Sequence, residues 1–154
     1  MKKILIVDWL DKYGGAERVL TVLNKQFDFD KCFTLINIMS SNDLDRVFNG
    51  KKIKIVESNL RLVRSGFRYL FFLFPFFISR FKSDDTNALI ISSSFSVAKG
   101  FKKQSNQKHI CYYQARNQRY IWDNENIYFS WWQKIIVAPL LFLLRKIDVK
   151  HSGR

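Results

Sequence analysis

Gly14-Gly15-Ala16-Glu17-Arg18-Val19 follows a short apolar run, Ile4-Leu5-Ile6-Val7-Asp8, and opens an amphipathic one. A strand that feeds a glycine pair and then a helix start brings backbone N–H groups to one point. The helix dipole adds partial positive charge there, so Gly14 and Gly15 are placed to hold an anion, most often a phosphate or diphosphate. The pair lies outside the G-x-G-x-x-G pattern and no Walker lysine follows it. The structural alternative is a tight turn that any strand-to-helix connection of this kind needs. Glu17 falls in the first helical turn, where a carboxylate suits the dipole.

Other chemistry-bearing patterns are thinner. Asp28-Phe29-Asp30 and Asp43-Leu44-Asp45 are D-x-D triplets, a type that holds a divalent ion at the end of a strand. Here the first precedes a strand and the second falls in a short helix. Ser96-Val97-Ala98-Lys99 spells S-x-x-K but lacks the companion motifs of serine acyl transfer. No His/Cys/Asp cluster has metal spacing, so no metal is expected. His109 opens a strand and reads as structure. Arg61, Arg64 and Arg68 recur at three- and four-residue spacing beside a Phe-rich run, and Trp131-Trp132 precedes IIVAPLLFLLRK. On one helix face, such arginines beside aromatics suit an anionic membrane surface, with tryptophan in the headgroup zone. The alternative places the rings in the core, against a sheet.

The elements that must position these residues alternate along the chain. Apolar strands are predicted over residues 3–8, 31–38, 52–57, 88–92 and 108–113. A helix over 15–27 puts Ala16, Val19, Leu20, Leu23 and Phe27 on one face, and Ser40 or Asn42 caps a short helix through Phe48. A long helical stretch from about Leu60 to Lys82 is kinked or split at Pro75. Ser94 or Ser96 caps a helix ending near Lys103, and a last helix over about 130–149 contains Pro139. The pattern predicts an α/β fold: a Rossmann-like parallel sheet with helices on both faces, as a single domain over residues 1–154.

Bulk composition narrows the partners. The 154 residues are 47% hydrophobic with only 2 prolines, which argues against intrinsic disorder. Lys+Arg number 26 against 13 Asp+Glu, a net charge of +13 that calls for an anionic partner. The aromatic residues, 16% of the chain, crowd into 67–81 and 128–142, which favours a membrane surface over nucleic acid. Cys32 and Cys111 sit in apolar strands and read as buried free thiols of a reduced compartment. Neither a signal peptide nor a run of roughly 18 apolar residues is apparent, so the expected location is cytoplasmic or peripheral.

Two stretches carry a family resemblance over nearly the whole chain. The order of strand, loop with Trp9 and Tyr13, then GGAERVL resembles the start of glycosyltransferase family 4 enzymes, which have two Rossmann domains (GT-B). The stretch ALIISSSFSVAKGFKK, then KHICYYQARNQRYIWD, is similar to a later part of that family. Ser92, Ser93, Ser94, Ala98, Lys99, Gly100, Tyr112, Arg119, Tyr120, Trp122 and Asp123 fit its pattern. One departure stands out: where the family commonly has His-Thr-Pro or His-Ser-Pro at the sugar site, this chain has Gln114-Ala115-Arg116-Asn117. Gln114 is able to bond a sugar hydroxyl but not to carry charge or move a proton.

The resemblance implies the N-terminal, acceptor-side domain of a retaining GT-B glycosyltransferase of polysaccharide biosynthesis. Such enzymes move a sugar, hexosyl or mannosyl in type, from a nucleotide sugar to a glycan or lipid-linked acceptor at the inner membrane face. Gly14, Gly15, Gln114, Arg119 and Tyr120 are the implied substrate-binding residues; no catalytic residue is assigned. The nucleotide-sugar donor is expected only with a C-terminal domain carrying E-x7-E, so the chain is expected to be a truncated or split product, inactive alone. No cofactor is implied. The expected partners are the acceptor, an anionic membrane touched by Arg61, Arg64, Arg68, Trp131 and Trp132, and a separately encoded C-terminal half, with no nucleic acid. The alternative is a non-catalytic Rossmann-like module that binds an anionic membrane or a partner protein through 60–82 and 131–147.

Overall fold

A computed structural model describes residues 1–114, 121–122 and 129–152. Five strands form one all-parallel sheet: β1 (Lys2–Val7), β2 (Lys31–Thr34), β3 (Lys54–Glu57), β4 (Ala88–Ser94) and β5 (Lys108–Tyr113), in the order β3-β2-β1-β4-β5. The order reverses between β1 and β4, the switch point at which open α/β sheets leave a crevice beyond their strand ends. The fold is thus the α/β Rossmann-like arrangement that the strand and helix signals predict.

Alternation in the central strands explains the two-sided core. Ile4, Ile6 and Ile90 face one side with Phe67, Phe74, Ile78 and Phe101. Leu5, Val7 and Ile91 face the other with Leu20, Val47 and Phe48. That second face is covered by α1 (Gly15–Phe27) and α2 (Ser41–Phe48). Ser40 Oγ accepts from the Asp43 N–H at 3.2 Å to start α2, and left-handed Asn49 (φ 55°) and Gly50 (φ 74°) end it.

The first face differs from the sequence-based expectation. No continuous helix runs from Leu60 to Lys82. Two 3-10 segments, Asn59–Leu62 and Arg64–Leu73, precede α3 (Phe74–Arg80). Arg64 takes a left-handed φ of 49°, which breaks the path between the segments. Arg61, Arg64 and Arg68 therefore do not share one helix face. Pro75 marks a split, as expected, without kinking a helix: the 3-10 segment ends at Leu73 and an α-helix begins at Phe74. The proline lies in the first turn of α3, where its missing N–H has no intrahelical bond to lose. The break lets Phe67 and Phe74 turn inward onto Trp9, with ring centroids 5.5 and 5.6 Å away.

Further boundaries move. β2 ends at Thr34, although Leu35 and Ile36 stay buried, and an isolated bridge joins Leu10 to Asn37. β3 begins at Lys54. The helix expected to end near Lys103 is a single 3-10 turn, Ala98–Gly100. The last helix, α4 (Trp131–Ser152), is longer than expected and contains Pro139. It rests on the 3-10 turn and on the Phe71–Pro75 region through Leu144 and Ile147. Cys32 is buried, whereas Cys111 is only half-buried; both are free thiols, and burial pushes both upward from the usual thiol range. Among the described residues no helix is long and apolar enough to cross a membrane.

Candidate functional site

The switch point in strand order sets the carboxyl ends of β1, β4 and β5 side by side. The loop leaving β1 delivers Gly14 as the extended N-cap of α1. The Gly14 N–H is not bare, contrary to the expectation of two open donors. It donates to Glu17 Oε2 at 2.9 Å, so the helix start already carries one of its own carboxylates. Glu17 is buried; that burial pushes its carboxyl upward, Asp11 adds to the push, and backbone N–H bonds oppose it.

Gly15 is different. It is exposed, and a β-carbon built on it would meet nothing within 4 Å, whereas one on Gly14 would lie 3.3 Å from Glu17 Oε2. Gly15 and Ala16 stand in the first turn of α1, where a helix has no internal acceptor for its N–H groups. The space over Gly15 is open. Neither φ nor crowding demands glycine there, so the turn itself does not require Gly15. Gly15→Val is expected to fold, with a melting temperature within about 3 °C of the parent, and thermal denaturation followed by circular dichroism checks this.

Gln114, at the end of β5, joins this point. Its N–H donates to the Ser94 carbonyl at 2.9 Å, and its Nε2 donates to Ser93 Oγ at 2.6 Å and to the Ala16 carbonyl at 3.4 Å. Residues from the ends of β4 and β5 thus meet the start of α1. Arg119 and Tyr120 lie outside the described residues. Tyr13 stands beside the same helix, with its hydroxyl 3.3 Å from Thr21 Oγ1 and the Arg46 guanidinium 4.0 Å from its ring centroid.

Asp8, which belongs to no motif of the sequence, organises the loop that follows β4. One carboxylate oxygen accepts the N–H groups of Phe95 and Ser96 at 2.8 and 2.9 Å; the other accepts those of Val97 and Ala98 at 2.6 and 2.7 Å. This is a concave array of backbone donors of the kind that holds phosphate, filled here by the protein's own anion. Burial pushes the Asp8 carboxyl upward and the four donors pull it down. Its position at the end of a buried strand was the only available signal.

The remaining candidates have structural duties. Lys99 of the S-x-x-K run forms a buried ion pair with Asp148 at 2.6 Å and donates to Ser152 Oγ at 3.0 Å. Asp28 pairs with Lys51 at 2.7 Å, and Asp30 accepts the Lys3 N–H at 2.9 Å. Asp43 donates its N–H to the Ser40 cap of α2, and its carboxylate lies 3.6 Å from Arg46. His109 Nε2 lies 2.8 Å from Ser92 Oγ; burial, with Lys103 nearby, pushes the imidazole down, so it stays neutral at pH 7.

The basic and aromatic residues divide. Arg61 and Arg64 are exposed, and Arg68 is exposed but paired with Asp11. Phe74 is core, Phe71 and Phe77 are half-buried, and Phe72 and Phe76 are exposed. The Phe-rich segment is therefore neither wholly core nor wholly surface. Trp131 and Trp132 are both exposed. No protein-family model, curated protein or solved structure matches the chain.

Proposed function

We propose that this domain is the acceptor side of a GT-B-type glycosyltransferase, and that its crevice binds the sugar and phosphate portion of a glycan or lipid-linked acceptor. The observation that carries the reading is the meeting of Ala16, Ser93 and Gln114 at the sheet's switch point, beside the open Gly15. In this reading, the α1 start holds a phosphate through backbone donors and dipole. Gln114, its nitrogen held by Ser93 and Ala16, offers its carboxamide oxygen to a sugar hydroxyl. It moves no proton. Transfer of the sugar from a nucleotide-sugar donor would need a second wall to exclude water and fix the diphosphate.

The setting we propose is peripheral, on the anionic inner face of the cell membrane, with Arg61 and Arg64 facing the headgroups. A second reading, a non-catalytic module that binds a membrane or a protein partner, is favoured by the exposed apolar side chains of α4. Titration calorimetry with a water-soluble short-prenyl diphosphate sugar separates the two. The acceptor reading expects saturable binding that Gly15→Val weakens by about ten- to a hundredfold, because the valine side chain holds the phosphate off the backbone N–H groups and so costs one charge-assisted hydrogen bond. No binding, or equal binding by a folded Gly15→Val, contradicts it.

A further inference from the structure

Among the described residues, α4 packs on the domain through one face. Leu141, Leu144 and Asp148 are buried, and Asp148 takes both Lys99 and the Trp122 indole N–H, the latter at 3.0 Å. Arg145 donates to the Ile121 carbonyl at 2.8 Å. Around the rest of the helix, Trp131, Trp132, Ile135, Ile136, Phe142 and Leu143 each keep more than half of their surface exposed, Trp131 as much as 76%. Steps of three, four and seven residues relate these positions, so they form one broad stripe along the helix. Phe129 meets Phe71 at 6.2 Å between ring centroids, which joins the stripe to the surface carrying Tyr69, Phe72 and Phe76.

An apolar area this large on a lone domain marks a contact surface, and charge decides what fits it. Residues 59–82 and 129–147 contain no Asp or Glu at all. The next acidic residue, Asp148, is buried against Lys99. Lys146 and Lys150 are exposed at the end of α4, and Arg61 and Arg64 flank the joined surface. A second copy would bring two chains of net charge +13 together with no acidic counterpart on these segments. An anionic lipid surface supplies both complements, apolar depth and negative charge.

We infer that α4 is an in-plane membrane helix: it lies along an anionic bilayer with Trp131, Ile135, Ile136 and Phe142 inserted at the headgroup–acyl boundary. The Lys99–Asp148 pair fixes that helix to the crevice domain and so holds the strand ends at a set distance from the lipid. The inference rests on the membrane side of the function proposed above and is independent of its sugar chemistry, because the test uses neither donor nor acceptor.

The test is vesicle binding by the full chain. With phosphatidylglycerol vesicles, tryptophan emission should shift to the blue, brominated acyl chains should quench it, and the protein should co-sediment. High salt should weaken binding without abolishing it, since salt screens the cations but not the apolar insertion. Ile135→Ser/Ile136→Ser/Phe142→Ser, all at exposed positions and checked for folding by circular dichroism, should bind at least about tenfold more weakly. Absence of vesicle binding by the parent overturns the inference. So does equal binding by the triple variant, or binding that salt removes entirely without any emission shift. A parent that sediments as a dimer, becomes monomeric in the triple variant and ignores vesicles assigns the stripe to a second copy instead.

Discussion

Asp8→Asn is expected to lower the unfolding free energy by about 3–5 kcal/mol, near the top of what one substitution does. Each Asp8 oxygen accepts two backbone N–H groups from the Phe95–Ala98 loop, and the side chain is 1% exposed. Asparagine has the same shape but only one acceptor oxygen. Its NH2 group would confront two N–H donors, leaving them unpaired in the interior. In a domain of this size, a loss of that order corresponds to a melting temperature lower by roughly 10 °C. Urea titration followed by circular dichroism checks it; a variant within about 1 kcal/mol of the parent would show that the loop finds other acceptors.

The second large effect lies at the foot of α4. Lys99 and Asp148 are each 7% exposed at their side chains and 2.6 Å apart. Lys99→Met should cost about 3–5 kcal/mol, because it leaves a buried carboxylate without its cation. Lys99→Met/Asp148→Asn should recover much of that loss: no charge remains buried, and the carboxamide oxygen of the substituted side chain still accepts from the Trp122 indole. The comparison of single and double variants by chemical denaturation isolates the coupling between the two side chains. A double variant as unstable as Lys99→Met alone would mean that the lysine acts through packing instead of charge.

Local signals proved legible where one segment decides its own state. The apolar spacing of Leu20, Leu23 and Phe27 and the glycine pair before them define α1, and KHICYY defines β5. Ser40 marks the start of α2 because an N-cap acts within three residues of itself. The segment from Leu60 to Lys82 was legible only as apolar and basic. Its path is set by Trp9, which draws Phe67 and Phe74 inward from a different part of the chain. Periodicity carries no record of that contact.

The candidate site divides in the same way. Gly15 and Gln114 stand out by type and place, yet their convergence depends on strand order, which only the assembled sheet supplies. The role of Glu17 as the partner of the Gly14 N–H was half visible, since a carboxylate in a first turn suits the dipole. Asp8 was invisible because its four donors come 87 to 90 residues later. Lys99 was noticed for a four-residue pattern, whereas its partner Asp148 belongs to the last helix.

Acceptor binding at the ends of β1, β4 and β5 is tested most directly by nuclear magnetic resonance. Amide spectra of the chain are recorded as the short-prenyl diphosphate sugar is added. The account predicts saturable shifts at Gly14, Gly15, Ala16, Ser93 and Gln114, removed at matched ligand concentration in Gly15→Val. Shifts confined to α4, or no shifts at millimolar ligand, would contradict it.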